Sequence, residues 1–364
     1  MLHLLTTSKQ TTKHSRVDPE QTIGPIIKQR LKSPYTVKPQ LYLLMLVLMI
    51  GAACKKERNP GETPGGNSGP WTVYNKTNAQ LPGDQVTAIT IDNTNVKWIG
   101  TDKGLARIAD STWTIFTTAT SPLPSSFIRA LAVGEDGTVW IGTDKGLSRY
   151  DGTSWQTYTT SNSLMTDNGI MCLTYDSKNH KLWVGTEKEL ISIDKHNAWK
   201  HFDETEDELI LSMTVDKDGA LWLGTFNHFA FRGRIRKFQN DDWTFFQLDV
   251  LGYASTFPYS LAVSSTNVVY AVLSGTSVKT VVELTGGTLM EVNEPSCSTG
   301  LKTILLDQNK IWVGGNSLAR YGETQGTCFT LPEGGSNIQA MAMDRFGNLW
   351  LGTVHTGLVV YRTK

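Results

Sequence analysis

From Trp71 onward, short segments that alternate small and apolar residues return at near-regular intervals. Val86-Thr-Ala-Ile-Thr-Ile-Asp, Ile128-Arg-Ala-Leu-Ala-Val and Ile170-Met-Cys-Leu-Thr-Tyr-Asp open the series. Ile210-Leu-Ser-Met-Thr-Val-Asp, Tyr259-Ser-Leu-Ala-Val, Leu301-Lys-Thr-Ile-Leu-Leu-Asp and Ile338-Gln-Ala-Met-Ala-Met-Asp continue it. A period of two is the signature of a β-strand. Polar turns such as Glu135-Asp-Gly and Asp216-Lys-Asp-Gly follow, and their chemistry suits hairpins. A second strand then carries Trp-x-Gly-Thr, a third reads Gly104-Leu-Ala-Arg-Ile or Gly146-Leu-Ser-Arg-Tyr, and a fourth reads Trp113-Thr-Ile-Phe or Trp155-Gln-Thr-Tyr.

The Trp-x-Gly motif recurs at Trp98, Trp140, Trp183, Trp222, Trp312 and Trp350, with spacings of 42, 43, 39, 90 and 38 residues. The long gap holds a degenerate copy around Tyr270, in Val-Val-Tyr-Ala-Val-Leu, which makes seven repeats. Four strands every ~40–50 residues define a propeller blade. The pattern therefore predicts an all-β, seven-bladed β-propeller over residues 71–364. Trp and Gly share one face of the second strand, so each indole is expected to fill the space a glycine leaves open. All 11 tryptophans fall on this template, six on second strands and five on fourth strands. The outermost, in Trp71-Thr-Val-Tyr74, precedes the first repeat, while the last repeat ends at Val359-Val-Tyr-Arg without a fourth strand. The Trp71–Tyr74 segment is thus expected to complete the C-terminal blade and close the ring, removing two exposed edges.

Composition changes the picture little. With 34 basic and 34 acidic residues the formal net charge is zero, which gives no electrostatic footprint for nucleic acid. Four cysteines do not make a disulfide scaffold. Cys297 and Cys328 bracket the sixth repeat, and an oxidising compartment would permit them to pair. Cys172 falls on a first strand and reads as a small buried apolar residue.

The N-terminal residues concern address. Residues 41–53 form an apolar run too short to span a bilayer, which takes ~20 residues. The run fits the hydrophobic core of a signal peptide. Gly51-Ala-Ala before Cys54 resembles a bacterial lipobox, with Gly51 standing where Leu is usual. The resemblance implies lipidation of Cys54, a membrane anchor through that lipid, and removal of everything before it. Residues 1–40 form a basic, polar extension longer than such a signal needs, which predicts a translation start downstream of Met1. Residues 55–70 are rich in Pro, Gly and polar groups and read as a flexible tether. Lys55 rather than Asp follows the cysteine, which by resemblance to Gram-negative sorting implies an outer membrane lipoprotein of the cell envelope.

Asp136-Gly-Thr-Val-Trp-Ile-Gly-Thr-Asp-Lys-Gly-Leu-Ser-Arg-Tyr150 resembles the two-component regulator propeller repeat, as does the loop Ser121-Pro-Leu-Pro-Ser-Ser. Neither Gly-His nor Trp-Asp, the marks of a WD40 propeller, occurs. The resemblance implies an extracytoplasmic propeller of the sensor type, some of which recognise glycans. No Gly-x-Ser-x-Gly, His-Glu-x-x-His, P-loop, Gly-x-Gly-x-x-Gly or Cys-x-x-Cys appears, and no cofactor or metal is expected.

The candidate site lies where the chain departs from its own repeat. Thr101-Asp-Lys-Gly and Thr143-Asp-Lys-Gly are tight turns between second and third strands, but the fourth repeat reads Thr225-Phe-Asn-His-Phe-Ala-Phe-Arg-Gly-Arg234. The next inter-blade loop is Leu251-Gly-Tyr-Ala-Ser-Thr-Phe-Pro-Tyr259. Together they predict a ligand face of Phe226, His228, Phe229, Phe231, Arg232, Arg234, Tyr253, Phe257 and Tyr259, with His355 on the equivalent turn of the seventh repeat. Aromatic rings beside guanidinium groups suit a glycan or a partner protein. The expectation is a monomeric binding domain without catalysis. One alternative is a lyase or hydrolase at the channel mouth, similar to streptogramin-lyase-like propellers, in which His228 and His355 approach each other. Another is a scaffold that organises an envelope complex.

Overall fold

A computed structural model describes residues 70–362, apart from 206–207, 228, 276–278, 294, 296, 309 and 322–325, and only the backbone of 204, 279 and 333. The expected N-terminal extension, signal, lipidation site Cys54 and tether therefore lie outside the described residues, as does His228. The described chain forms seven four-stranded antiparallel sheets. They run Val86–Phe116, Ile128–Tyr158, Ile170–Phe202, Leu209–Gln247, Thr256–Glu291 and Thr303–Phe329, and lastly Ile338–Tyr361 completed by Trp71–Tyr74. We number these blades one to seven. The first strand of each blade packs against the first strands of both neighbours, and the seventh packs back on the first. That unbroken circuit is a closed propeller with the first strands lining its channel.

Closure uses the strand expected from the sequence. Trp71 pairs with Tyr361, Thr72 with Val360, Val73 with Val359 and Tyr74 with Leu358. Trp71 and Val73 pack toward blade six, while Tyr74 packs toward blade one. One short strand thus serves two interfaces by alternation. Lys97 and Asp344 form a buried ion pair at 3.9 Å across the same junction, with the Lys97 ammonium 5.1 Å above the Trp350 ring.

The core is divided into seven slabs, each between two consecutive blades. The motif glycines explain how closely the slabs pack, and here the structure corrects the expected interlock. A Cβ on Gly100 would lie 2.6 Å from Ile128 Cγ2, one on Gly142 would lie 2.5 Å from Ile170 Cγ2, and one on Gly352 would lie 2.6 Å from Val86 Cγ1. The slot is therefore filled by the first strand of the following blade. The indole has a different post. Trp98, Trp222 and Trp350 donate Nε1–H to Asp92, Asp216 and Asp344 at 3.3, 3.0 and 3.2 Å, tying each second strand to the turn before it. The other oxygen of Asp216 accepts the N–H groups of Asp218 and Ala220, so Asp216–Gly219 is the expected hairpin turn. The Arg of Gly-Leu-x-Arg stands directly across from the indole. Arg107 pairs with Trp98 and Arg149 with Trp140, their guanidinium carbons 5.7 and 5.8 Å from the ring centroids. Cation–π attraction accounts for this Trp–Arg pairing in the repeat.

Cys297 and Cys328 form a disulfide with Cα atoms 6.0 Å apart. It fastens the three-residue fourth strand of blade six, Thr327–Phe329, to the loop that enters the blade. Cys172 lies half-buried on a first strand, and burial pushes its thiol pKa up.

Candidate functional site

Blade four departs from the template at its second hairpin, but not through a loop insertion. In blade two the second and third strands end their pairing at Thr143 and Gly146. In blade four the strands Leu221–Asn227 and Arg232–Gln239 continue past Thr225–Arg234 with two more pairs, Phe226–Gly233 and Asn227–Arg232. The expected insert is thus mostly strand, a hairpin that extends beyond the template. Its tip is held by the Ala230 N–H donating to Asn227 Oδ1 at 2.8 Å, and Phe231 takes the left-handed φ of 51°. Phe229 and Phe231 are 75% and 70% exposed.

The hairpin leans on blade five, where a Cβ on Gly233 would meet Thr256 O at 2.1 Å. Only glycine permits that approach. The contact brings Phe226 within 5.1 Å of Phe257, ring centroid to centroid. Phe231 joins at 6.2 Å from Phe226, and Tyr259 at 6.1 Å from Phe257. Four of the expected residues therefore form one aromatic row. Phe257 and Tyr259 are not in a loop, because the first strand of blade five begins at Thr256. Tyr259 occupies a β-bulge, between the pairs made by Pro258 and Ser260.

That bulge recurs around the ring. The skipped residues are Thr87, Arg129, Met171, Leu211, Tyr259 and Gln339, none of them buried. Bulges re-aim side chains at rims and sites. Because the first strands run parallel around the channel, these positions share one end of it. Over blades three to five they are apolar or aromatic. The position after the motif Thr changes in the same sense, from Asp102, Asp144 and Glu187 in blades one to three to Phe226 in blade four. Arg129 answers Glu187 at 3.3 Å on the acidic side.

The charged members of the expected set are engaged within the chain. Arg234 and Arg236 both bind the buried carboxylate of Glu208, the latter at 2.5 Å, and Arg236 also lies 5.0 Å from the Phe245 centroid. Arg232 Nε meets Asp249 at 3.4 Å. Tyr253 turns away from the row, packs into the slab between blades four and five, and donates to Glu291 Oε1 at 3.5 Å. Burial first, then the Glu291 charge, raises its phenol pKa. His355 is exposed on a blade-seven turn that Thr353 secures, donating to Gly357 O at 2.9 Å and accepting from Thr356 N. Among the described residues no group of three or more His, Cys, Asp or Glu side chains is placed to hold a metal.

Sequence reasoning missed Glu208, Arg236, Met171 and Leu211. Arg236 carried a signal, since Ala106 and Ser148 hold its place in blades one and two. At the opposite end of the ring a groove of about 530 Å³ opens between blades one and two, over Trp98, Arg107, Phe116 and Tyr150. Its carboxylates are committed locally. Asp151 accepts from the Ser154 and Thr153 N–H groups, which hold its pKa down at about 2.

Residues 122–145, 206–227 and 332–355 match the two component regulator propeller family. No curated protein matches the chain. Among solved structures, the extracellular domain of a hybrid two component system from B. thetaiotaomicron is similar with a TM-score of 0.66 at 20% identity, over 81% of this chain and 41% of that one. Virginiamycin B lyase from Staphylococcus aureus is similar with a TM-score of 0.65 at 15% identity, over 80% of this chain and 98% of the lyase. PorZ, a surface component of the type-IX secretion system of Porphyromonas gingivalis, gives 0.63 at 16% identity, over 77% of this chain and 47% of that one. At these identities the likeness is one of fold.

Proposed function

The chain carries two component regulator propeller repeats, and from that premise we propose that it is an extracytoplasmic lipoprotein whose ring binds a glycan or a partner protein without catalysis. The observation that carries this reading is the aromatic row Phe231–Phe226–Phe257–Tyr259, built where blade four leaves the repeat. Slabs between blades need their rings inside, whereas Phe231 and Tyr259 stand 70% and 44% exposed. Exposed aromatic patches with a polar rim mark binding surfaces. An extracytoplasmic address is supported by the Cys297–Cys328 disulfide, since such bonds persist in oxidising compartments. The Gly51-Ala-Ala-Cys54 sequence supplies the proposed anchor to the outer membrane.

Binding of ligands to the purified protein, compared with Phe226→Ala and Phe257→Ala, tests the site. Loss of binding with an unchanged melting temperature is expected. Affinity indifferent to both changes would remove the reading. Cys54→Ser should abolish incorporation of labelled fatty acid and release the protein from membranes.

A further inference from the structure

Resting on the proposed Cys54 anchor, we infer that the end of the ring opposite the aromatic row lies on the lipid surface, with Phe346 as its point of contact. The row then faces away from the bilayer.

The place where the chain enters the ring decides which end is near the anchor. Trp71 pairs with Tyr361, and Tyr361 pairs with Leu349 at the start of the second strand of blade seven. The turn Asp344–Asn348 leads into that strand, so it sits at the same end as Trp71. There the Arg362 N–H donates to Pro70 O at 2.7 Å. From the turn to the closing strand is about 12 Å, on a strand spacing of ~4.8 Å. Phe226 follows Thr225, the counterpart of Thr353 at the far end of a second strand, so the aromatic row belongs to the opposite end. Only 15 residues separate Cys54 from Pro70, a flexible span of about 20 Å. A tether that short keeps the Pro70 end beside the bilayer.

The second observation lies at that end. At the third position of this turn, blades one, two, four and five carry Thr94, Asp136, Asp218 and Thr266, all polar. Blade seven, which takes the tether, carries Phe346. The turn does not need the ring, because Asp344 Oδ1 holds it by accepting the N–H groups of Phe346 and Asn348 at 3.0 and 2.9 Å. Phe346 joins none of the seven slabs and is 66% exposed. The Arg345 guanidinium lies 4.8 Å from its centroid, and Asn95 of blade one braces the turn by accepting the Arg345 N–H at 3.2 Å. A braced apolar ring beside a guanidinium suits the boundary between acyl chains and phosphate headgroups.

Asp110, Glu135 and Asp151 are exposed at the same end, so net charge does not draw the ring to the bilayer. One aromatic side chain binds a membrane weakly by itself. Held by the tether it acts at high effective concentration, and a weak contact is then enough to set orientation.

The test uses the full-length protein, matured in cells and reconstituted in vesicles of phosphatidylethanolamine and phosphatidylglycerol. A fluorophore is placed on Asn93→Cys, in the blade-one turn at the Phe346 end, or on Val250→Cys at the opposite end. Burial disfavours the Cys172 thiolate, so that cysteine stays unlabelled. Nitroxide-labelled lipids should quench the probe at 93 and spare the probe at 250. Phe346→Ser should remove most of the quenching at 93 while flotation with the vesicles is unchanged, and circular dichroism verifies its fold. Equal quenching at the two positions, quenching at 250 alone, or quenching at 93 that ignores Phe346→Ser would overturn the inference and leave the anchor standing. Flotation that fails, or that is the same in Cys54→Ser, would overturn the anchor and the inference together.

Discussion

Blades one to three and blades four to five use the same four strands to different ends. In the first group the template holds, apart from Glu189 in place of the turn glycine of blade three. A glycine slot receives the next blade's isoleucine, and an acidic turn closes the second hairpin. In blade four the slot at Gly224 receives Pro258, the acidic turn becomes Phe226, and the hairpin lengthens. In blade five Val272 stands where the other blades keep glycine, and Tyr270 faces Glu283 where blades one, two, four and six pair an indole with a cation. The lesson is about where a propeller tolerates change. Slots between blades set the spacing of the ring, whereas the ends of the second hairpin are free to acquire a surface.

The largest test concerns the closure on which both groups depend. Removing residues 71–74 takes a strand from blade seven and rings from two slabs. A fall in melting temperature of at least ~10 °C is expected, on a scale of roughly 2–4 °C per kcal/mol for domains of this order. An unchanged value would break the closure argument.

Next in size is the buried charge of the irregular half. Glu208→Ala removes the buried carboxylate that Arg234 and Arg236 share and should cost about 3–5 kcal/mol by chemical denaturation. Pairing it with Arg236→Met should recover part of that loss. If Glu208→Ala is neutral, blade four does not depend on its ion cluster.

The slots come third. Gly142→Val should destabilise by about 1–3 kcal/mol through overpacking against Ile170. Val272→Ala should destabilise by a comparable amount through the void it leaves. Opposite changes of volume would then hurt in opposite halves, and a tolerated Gly142→Val would erase the distinction.

The smallest effect is a pH dependence inside blade three, where Glu189 replaces the turn glycine. Burial pulls the His201 pKa down, but its hydrogen bond to Asp203 and the Glu189 charge outweigh this and leave it raised. A raised folded pKa means that charged His201 stabilises the fold fully below the ordinary value of 6.5. That contribution fades as pH rises through the folded value. His201→Asn should flatten this part of a stability–pH curve, and an unaltered curve would show that the contact is inert.

Strand order, blade number and the closing strand were legible because each rests on a local pattern. Alternation, turn residues and eleven well-placed tryptophans specify them without reference to neighbours. The partner of each glycine was not legible, since a strand's pattern tells which residues share a face and not what enters that face from the next sheet. The row Phe226–Phe257–Tyr259 was named residue by residue, yet its members were assigned to loops. The hairpin lengthens equally on both strands, and nothing in Thr225–Arg234 marks where pairing stops. The partners of Arg232, Arg234 and Tyr253 were not legible, because their carboxylates come from Asp249, Glu208 and Glu291, outside the motif or on another blade.

The closing strand also has a consequence in time. Trp71–Tyr74 leaves the ribosome before any other part of the ring, and its partner Leu358–Tyr361 is the last strand of the seventh repeat. Individual blades can form as they emerge, but the slab on either side of blade seven cannot. Long-range pairing of this kind is slow. The ring therefore stays an open array, with its first strand uncommitted, until Leu358–Tyr361 has emerged. A protein meant to be threaded through a membrane before it locks would gain from that delay.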